Sequence, residues 1–133
     1  MVHNLFKELI DRGYNFFTGV PDSGLKPFMN DIIESGVDHV IATNEGQAMG
    51  IAVGAELAGR KSCVYLQNSG LGNVINPITS LCIPHNVEPL LIVGHRHTLP
   101  QHKIMGEIDK KLLVLLGYSS YIIVKGKLWK RKY

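Results

Sequence analysis

One acid stands out for its setting. Glu45 follows a strand-like stretch, Val37 to Ala42, through Thr43-Asn44, and opens a segment with glycines at 46, 50 and 54. A spacing of four puts those glycines along one ridge of a helix. Each costs about 1 kcal/mol relative to alanine in a helix interior, so three on one ridge point to the close approach of a flat ligand or another backbone. The alternative is that Glu45 only favours the positive end of the helix dipole while the glycines relieve crowding. The residues alone leave both readings open.

Three further stretches carry polar groups in suggestive patterns. Gln67-Asn68-Ser69-Gly70-Leu71-Gly72-Asn73 is a glycine-bearing loop whose N–H groups could bind an anion. It is not a dinucleotide fingerprint, because Ile75 stands where the third glycine is needed, and no Gly-Lys-Ser/Thr follows to make a Walker loop. Pro21-Asp22-Ser23-Gly24 is a turn whose polar groups either face a ligand or simply cap the next helix. His95, His97 and His102 form the third group. A metal centre needs more ligands than this pattern supplies, so polar contact with a ligand, or exposure, is expected instead of a metal. Cys63 and Cys82 lie in apolar segments and read as two buried thiols. No G-x-S-x-G elbow is present.

The elements that must position these residues alternate regularly. Helices are expected at Asn4 to Gly13, Leu25 to Glu34, Glu45 to Ala58, Val74 to Cys82 and Ile108 to Leu116, with Gly13, Gly36 and Gly59 as stops. Strands are expected at Tyr14 to Val20, Val37 to Ala42, Ser62 to Gln67, Pro89 to Val93 and Tyr121 to Val124, with Gly94 to Gln101 as a loop. The runs Cys63 to Leu66, Leu90 to Val93 and Tyr121 to Val124 are nearly continuously apolar, the pattern of strands buried on both faces. The fold class is then α/β, an open, mostly parallel sheet with helices on both faces. Ligands of such sheets bind at the carboxyl ends of the strands, where the four polar stretches fall.

Bulk properties fit this outline. The chain has 133 residues, 45% hydrophobic and 19% charged, enough for one domain. No apolar run approaches the roughly 18 residues of a membrane span, and Lys7 and Glu8 interrupt the first apolar segment, so a soluble cytoplasmic protein is expected. Five of the basic residues, Lys125, Lys127, Lys130, Arg131 and Lys132, crowd the end of the chain. Without them nine basic residues face eleven acidic ones, so the body is mildly acidic and the net +3 belongs to the tail. Such a tail can touch nucleic acid, but it is more often a solvated end.

Taken together and in order, Phe16 to Ser23, Asn44-Glu45-Gly46, Gln67 to Asn73, Asn76-Pro77 with Thr79-Ser80-Leu81, and Pro100-Gln101-His102 resemble the pyrimidine-binding domain of thiamine-diphosphate enzymes. Within these the resemblance is to phosphonopyruvate decarboxylases, with sulfopyruvate decarboxylases near them, and it covers residues 1–124. Residues 125–133 would then be a basic tail.

The resemblance implies a carboxy-lyase that uses thiamine diphosphate and Mg²⁺. Glu45 would exchange a proton with N1′ of the aminopyrimidine, and the 2-oxo acid would lose carbon dioxide into the cofactor's electron sink. It gives Asp22 and His102 catalytic roles. Pro21, Asn68, Ser69, Gly70, Leu71 and Gly72 become cofactor-binding alongside Glu45. Ser23, Arg96 and Gln101 become substrate-binding, with Arg96 suited to an oxyanion by its fork of donors.

The sequence departs from the family in a shorter His95 to Gln101 stretch, an early end, and the lack of the Gly-Asp-Gly motif that binds Mg²⁺ and diphosphate. A diphosphate-binding domain or subunit is therefore expected as partner, in a homo- or hetero-oligomer. The expected reaction is phosphonopyruvate to phosphonoacetaldehyde and carbon dioxide. The alternatives are a sulfopyruvate decarboxylase alpha subunit, or a non-catalytic remnant that dimerises through the Gly46, Gly50 and Gly54 ridge.

Overall fold

The structure, a computed structural model, describes residues 4–126. Five strands, β1 (Phe16–Gly19), β2 (Asp38–Ile41), β3 (Ser62–Gln67), β4 (Leu90–His95) and β5 (Tyr121–Lys125), form one sheet in the order β2-β1-β3-β4-β5. Every pairing is parallel. The sheet is therefore wholly parallel, as helical crossovers between successive strands require.

The helices α1 (Leu5–Asp11) and α2 (Lys26–Ser35) cover one face, where Leu9, Phe28 and Ile32 meet Phe17, Tyr65 and Ile92. On the other face lie α3 (Glu45–Leu57), a broken helix running from α4 (Ile75–Pro77) to α5 (Ile83–His85), and α6 (Pro100–Leu115), with Met49, Ile78 and Leu113 packed on Val64, Leu66 and Leu91. The strands β3 and β4 are buried along almost their whole length, as their apolar runs predict. The third such run does not behave that way. Tyr121, Ile122 and Ile123 are only half-buried, because β5 is the edge of the sheet.

Local chemistry explains most boundaries. The Asn4 side chain accepts from Lys7 N–H at 2.9 Å and starts α1. Gly13, Gly36 and Gly59, read as helix stops, all have positive φ. Three expectations need correction. First, Asn68–Asn73 is not an open loop but a 3₁₀ segment. Second, the helix expected to end at Cys82 continues as α4 (Ile75–Pro77), a π turn (Ile78–Cys82) and α5 (Ile83–His85). Pro84 has no N–H to offer the Ser80 carbonyl, and widening the preceding turn accommodates the missing bond.

Third, α6 begins at Pro100, not Ile108. Proline suits the first helical turn, where its missing N–H is not needed, so the stretch Pro100-Gln101-His102 opens a helix and is not part of a loop. The order of strands reverses between β1 and β3, which makes their carboxyl ends the topological switch point of the sheet. The basic tail lies outside the described residues except for Lys125, the last residue of β5, and Gly126.

Candidate functional site

Asp22 follows β1 and Asn68 follows β3, so both stand at the switch point. Glu45 follows β2 as the first residue of α3. The turn that delivers it is tightly tied. The Asn44 side chain accepts from Gln47 N–H at 2.8 Å, and the Gln47 side chain reaches back to the Thr43 N–H (2.7 Å) and hydroxyl (2.9 Å). This is the logic of a capping box, in which two side chains satisfy backbone donors at the helix start. The Glu45 carboxylate accepts from the Asn73 amide at 2.8 Å. It lies flat across Gly70, where a Cβ would stand 2.5 Å from Oε1.

Asp22 is arranged on the same plan. Its side chain is buried and crosses to β4, where a Cβ on Gly94 would lie 2.6 Å from Oδ2. Its Oδ1 accepts from Arg96 Nε (3.2 Å) and Nη2 (2.8 Å), and Arg96 Nη2 also donates to the Ser23 hydroxyl. The other oxygen, Oδ2, is buried with no hydrogen-bond partner among the described residues. Arg96 thus clamps the β1 turn to the end of β4, with its Nη1 hydrogens left over for an anion.

His102 and Gln101 lie on the first turn of α6. The Gln67 amide nitrogen donates to the Ser69 hydroxyl at 2.8 Å and to His102 Nδ1 at 3.3 Å. With Nδ1 accepting, the neutral ring carries its proton on Nε2, free to donate. Gln101, Pro21, Ser69 and Gly72 are exposed, whereas Leu71 turns down into the core.

The three histidines do not act as one group. The His95 and His97 rings lie 4.9 Å apart, and His102 belongs to Gln67. Among the described residues no three His, Cys, Asp or Glu side chains gather in a way that could hold a metal. Nor do the thiols offer a nucleophile. Cys63 and Cys82 are free and buried, and burial pushes Cys82 up to about 11 and Cys63 higher still. Along the ridge of α3, a Cβ on Gly46 would stand 3.3 Å from the Asn73 carbonyl, while one on Gly50 or Gly54 would meet nothing within 4 Å among the described residues beyond its own stretch of helix.

Sequence reasoning did not single out Asn73, Gln67 or Asp109, which hold the predicted residues in place. Asn73 and Gln67 lie inside the motif used for the resemblance, so their polar types were a usable signal. Asp109 sits in a run of charged helix residues and carried none.

An aminopyrimidine fits the chemistry here. It is flat, and it offers a ring nitrogen to a carboxylate and an amine to acceptors. Residues 1–113 match the family described as thiamine pyrophosphate enzyme, N-terminal TPP binding domain. The chain is 39% identical over 115 residues to sulfopyruvate decarboxylase subunit alpha of Methanococcus maripaludis, covering 82% of this chain and 68% of that one. It is 38% identical over 118 residues to phosphonopyruvate decarboxylase of Streptomyces viridochromogenes, covering 84% of this chain and 30% of that one. A further sulfopyruvate decarboxylase subunit alpha, from Methanocaldococcus jannaschii, is 37% identical over 122 residues, with 88% and 72% covered.

Proposed function

This chain belongs to the thiamine pyrophosphate enzymes through their N-terminal TPP binding domain, and we propose that it is the aminopyrimidine-binding half of a decarboxylase for a 2-oxo acid with a strong anion at C3. The observation that carries the reading is the Glu45 carboxylate, held by Asn73 across Gly70 at the strand-to-helix junction after β2. Thiamine diphosphate, when bound, supplies the electron sink for decarboxylation. The chain's own residues bind, orient and move protons. Glu45 exchanges a proton with N1′ of the aminopyrimidine. Asp22 and Ser23 face the reacting carbon, held in register by Arg96, whose remaining donors meet the phosphonate or sulfonate. His102 donates from Nε2 to the substrate's anionic end, with Gln101 beside it. Pro21 and Asn68 to Gly72 line the cofactor's side.

The partner is a chain or domain that holds the diphosphate and Mg²⁺, because no Gly-Asp-Gly sequence occurs here. Two of the relatives are named as alpha subunits, which supports a separate partner subunit. Between the two acids, the sequence reading favours phosphonopyruvate. Sulfopyruvate gains support from the larger share of those relatives that the chain covers.

The test mixes the chain with a diphosphate-binding partner, thiamine diphosphate and Mg²⁺, and follows carbon dioxide from phosphonopyruvate and from sulfopyruvate. Release from either acid supports the reading and names the substrate. Glu45→Gln should abolish release while circular dichroism stays unchanged, and undiminished turnover in that variant removes Glu45 from its role.

A further inference from the structure

Asn68, assigned above to the cofactor's side, belongs to a buried polar cluster whose other side chains, Asp109 and His95, have been given no role. Asp109 projects from α6 and is 4% exposed. One of its oxygens, Oδ2, meets His95 Nδ1 at 2.6 Å and the Asn68 amide nitrogen at 3.1 Å. Its other oxygen accepts from the Lys110 N–H at 2.7 Å. The Asn68 amide nitrogen also donates to the Arg96 carbonyl at 2.9 Å. The ends of β3 and β4 are thereby joined through one carboxylate.

The donor inventory fixes every orientation in this cluster. The Arg96 carbonyl and the Asp109 carboxylate both accept, so the group of Asn68 facing them must be its NH₂, and both amide hydrogens are used. Asn68 Oδ1 is then left over, buried with no partner among the described residues. A buried unpaired acceptor costs about 1–3 kcal/mol, so it is kept only where a donor completes it. Both carboxylate oxygens already accept, which makes His95 Nδ1 the donor of its bond and leaves Nε2 as the bare nitrogen of the neutral ring.

We propose that Asp109 is a positioning residue of the site: it locks His95 in the Nδ1–H tautomer and turns Asn68 so that Oδ1 awaits an N–H or O–H donor. That this donor belongs to the aminopyrimidine rests on the function proposed above, whereas the lock on the two side chains does not.

Histidine side-chain ¹⁵N spectra of the chain without cofactor test the lock, recorded above the range in which histidine titrates. The expected result is a protonated Nδ1 and a bare Nε2 at His95, while His102 shows the reverse. Asp109→Leu, which keeps the outline of the side chain but accepts no hydrogen bond, should remove the His95 Nδ1–H signal and shift the Asn68 side-chain amide, with the His102 signals unmoved. The Nε2–H form at His95 in the unaltered chain overturns the proposal, as does an Asp109→Leu spectrum with His95 and Asn68 unchanged. The unaltered chain decides the tautomer by itself, so the result stands even where the variant does not fold. Failure to bind thiamine diphosphate counts against the function alone, because these signals are read without it.

Discussion

At the scale of single residues, the site is organised by what glycine leaves out. Gly70 and Gly94 each stand where a Cβ would press on a carboxylate, that of Glu45 at 2.5 Å and that of Asp22 at 2.6 Å. Neither glycine has the positive φ that would demand it for backbone reasons, so the cost of a methyl group falls on the acid opposite. Gly70→Ala should push Glu45 off Asn73, cost about 1–3 kcal/mol through overpacking, and lower turnover about a hundredfold, as displacement by roughly an ångström does in other sites. Urea midpoints and carbon dioxide release measure the two effects. In a Glu45→Ala background the same change meets no carboxylate, so its stability cost should vanish. An equal cost in both backgrounds would show that Gly70 answers to something other than Glu45.

At the scale of elements, α3 presents Glu45 as its first residue. Its mean exposure pattern is mixed, with Ala48, Met49, Ala52 and Val53 buried and Gly50 and Gly54 exposed, so the helix leans on its cap. Asn44→Ala should cost about 1 kcal/mol, and it should lower turnover further than that loss explains, since Glu45 is the adjacent residue; Asn44→Asp, which keeps a cap acceptor, should recover most of both. Thermal midpoints and turnover compare the three. The elements themselves were largely legible in the sequence. Nearly continuous apolar runs marked β3 and β4, and the glycines at 13, 36 and 59 marked real stops. The start of α6 escapes the sequence because Gly94 to Gln101 reads as a loop by its polarity, while Pro100 is a helix-opening signal. The edge position of β5 could not be read, because an apolar run reports the strand's composition and not its neighbours. Glu45, Asp22 and Asn68 lie in polar stretches that the sequence marks at strand ends, whereas Asp109 became visible only when α6 was placed against the ends of β3 and β4.

At the scale of the whole molecule, one face of the sheet is bound together by a run of rings. Phe6, Phe17, Phe28 and Tyr65 follow one another at centroid separations of 5.5, 6.2 and 6.4 Å, and His39 on the edge strand β2 ends the run 5.7 Å from Tyr65. His39 Nε2 lies 2.7 Å from the Tyr65 hydroxyl. Burial pushes that phenol up to about 12, so it keeps its proton beside the imidazole. Burial likewise lowers His39 below its ordinary value near 6.5. In acid the unfolded chain takes up the proton at the ordinary value, and the folded chain only at a lower one. Between the two the unfolded state binds more protons, so stability rises with pH there. The contribution is complete above about 6.5 and is lost as pH falls through the folded value. His39→Gln keeps a hydrogen-bonding group for Tyr65 but cannot titrate. Urea midpoints of both proteins across this range should converge toward acid and separate toward neutral pH, with the parent falling more steeply. The remaining histidines are common to both and cancel in the difference. Parallel curves would mean that His39 titrates alike in the folded and unfolded chains, and that the edge strand does not bury its ring.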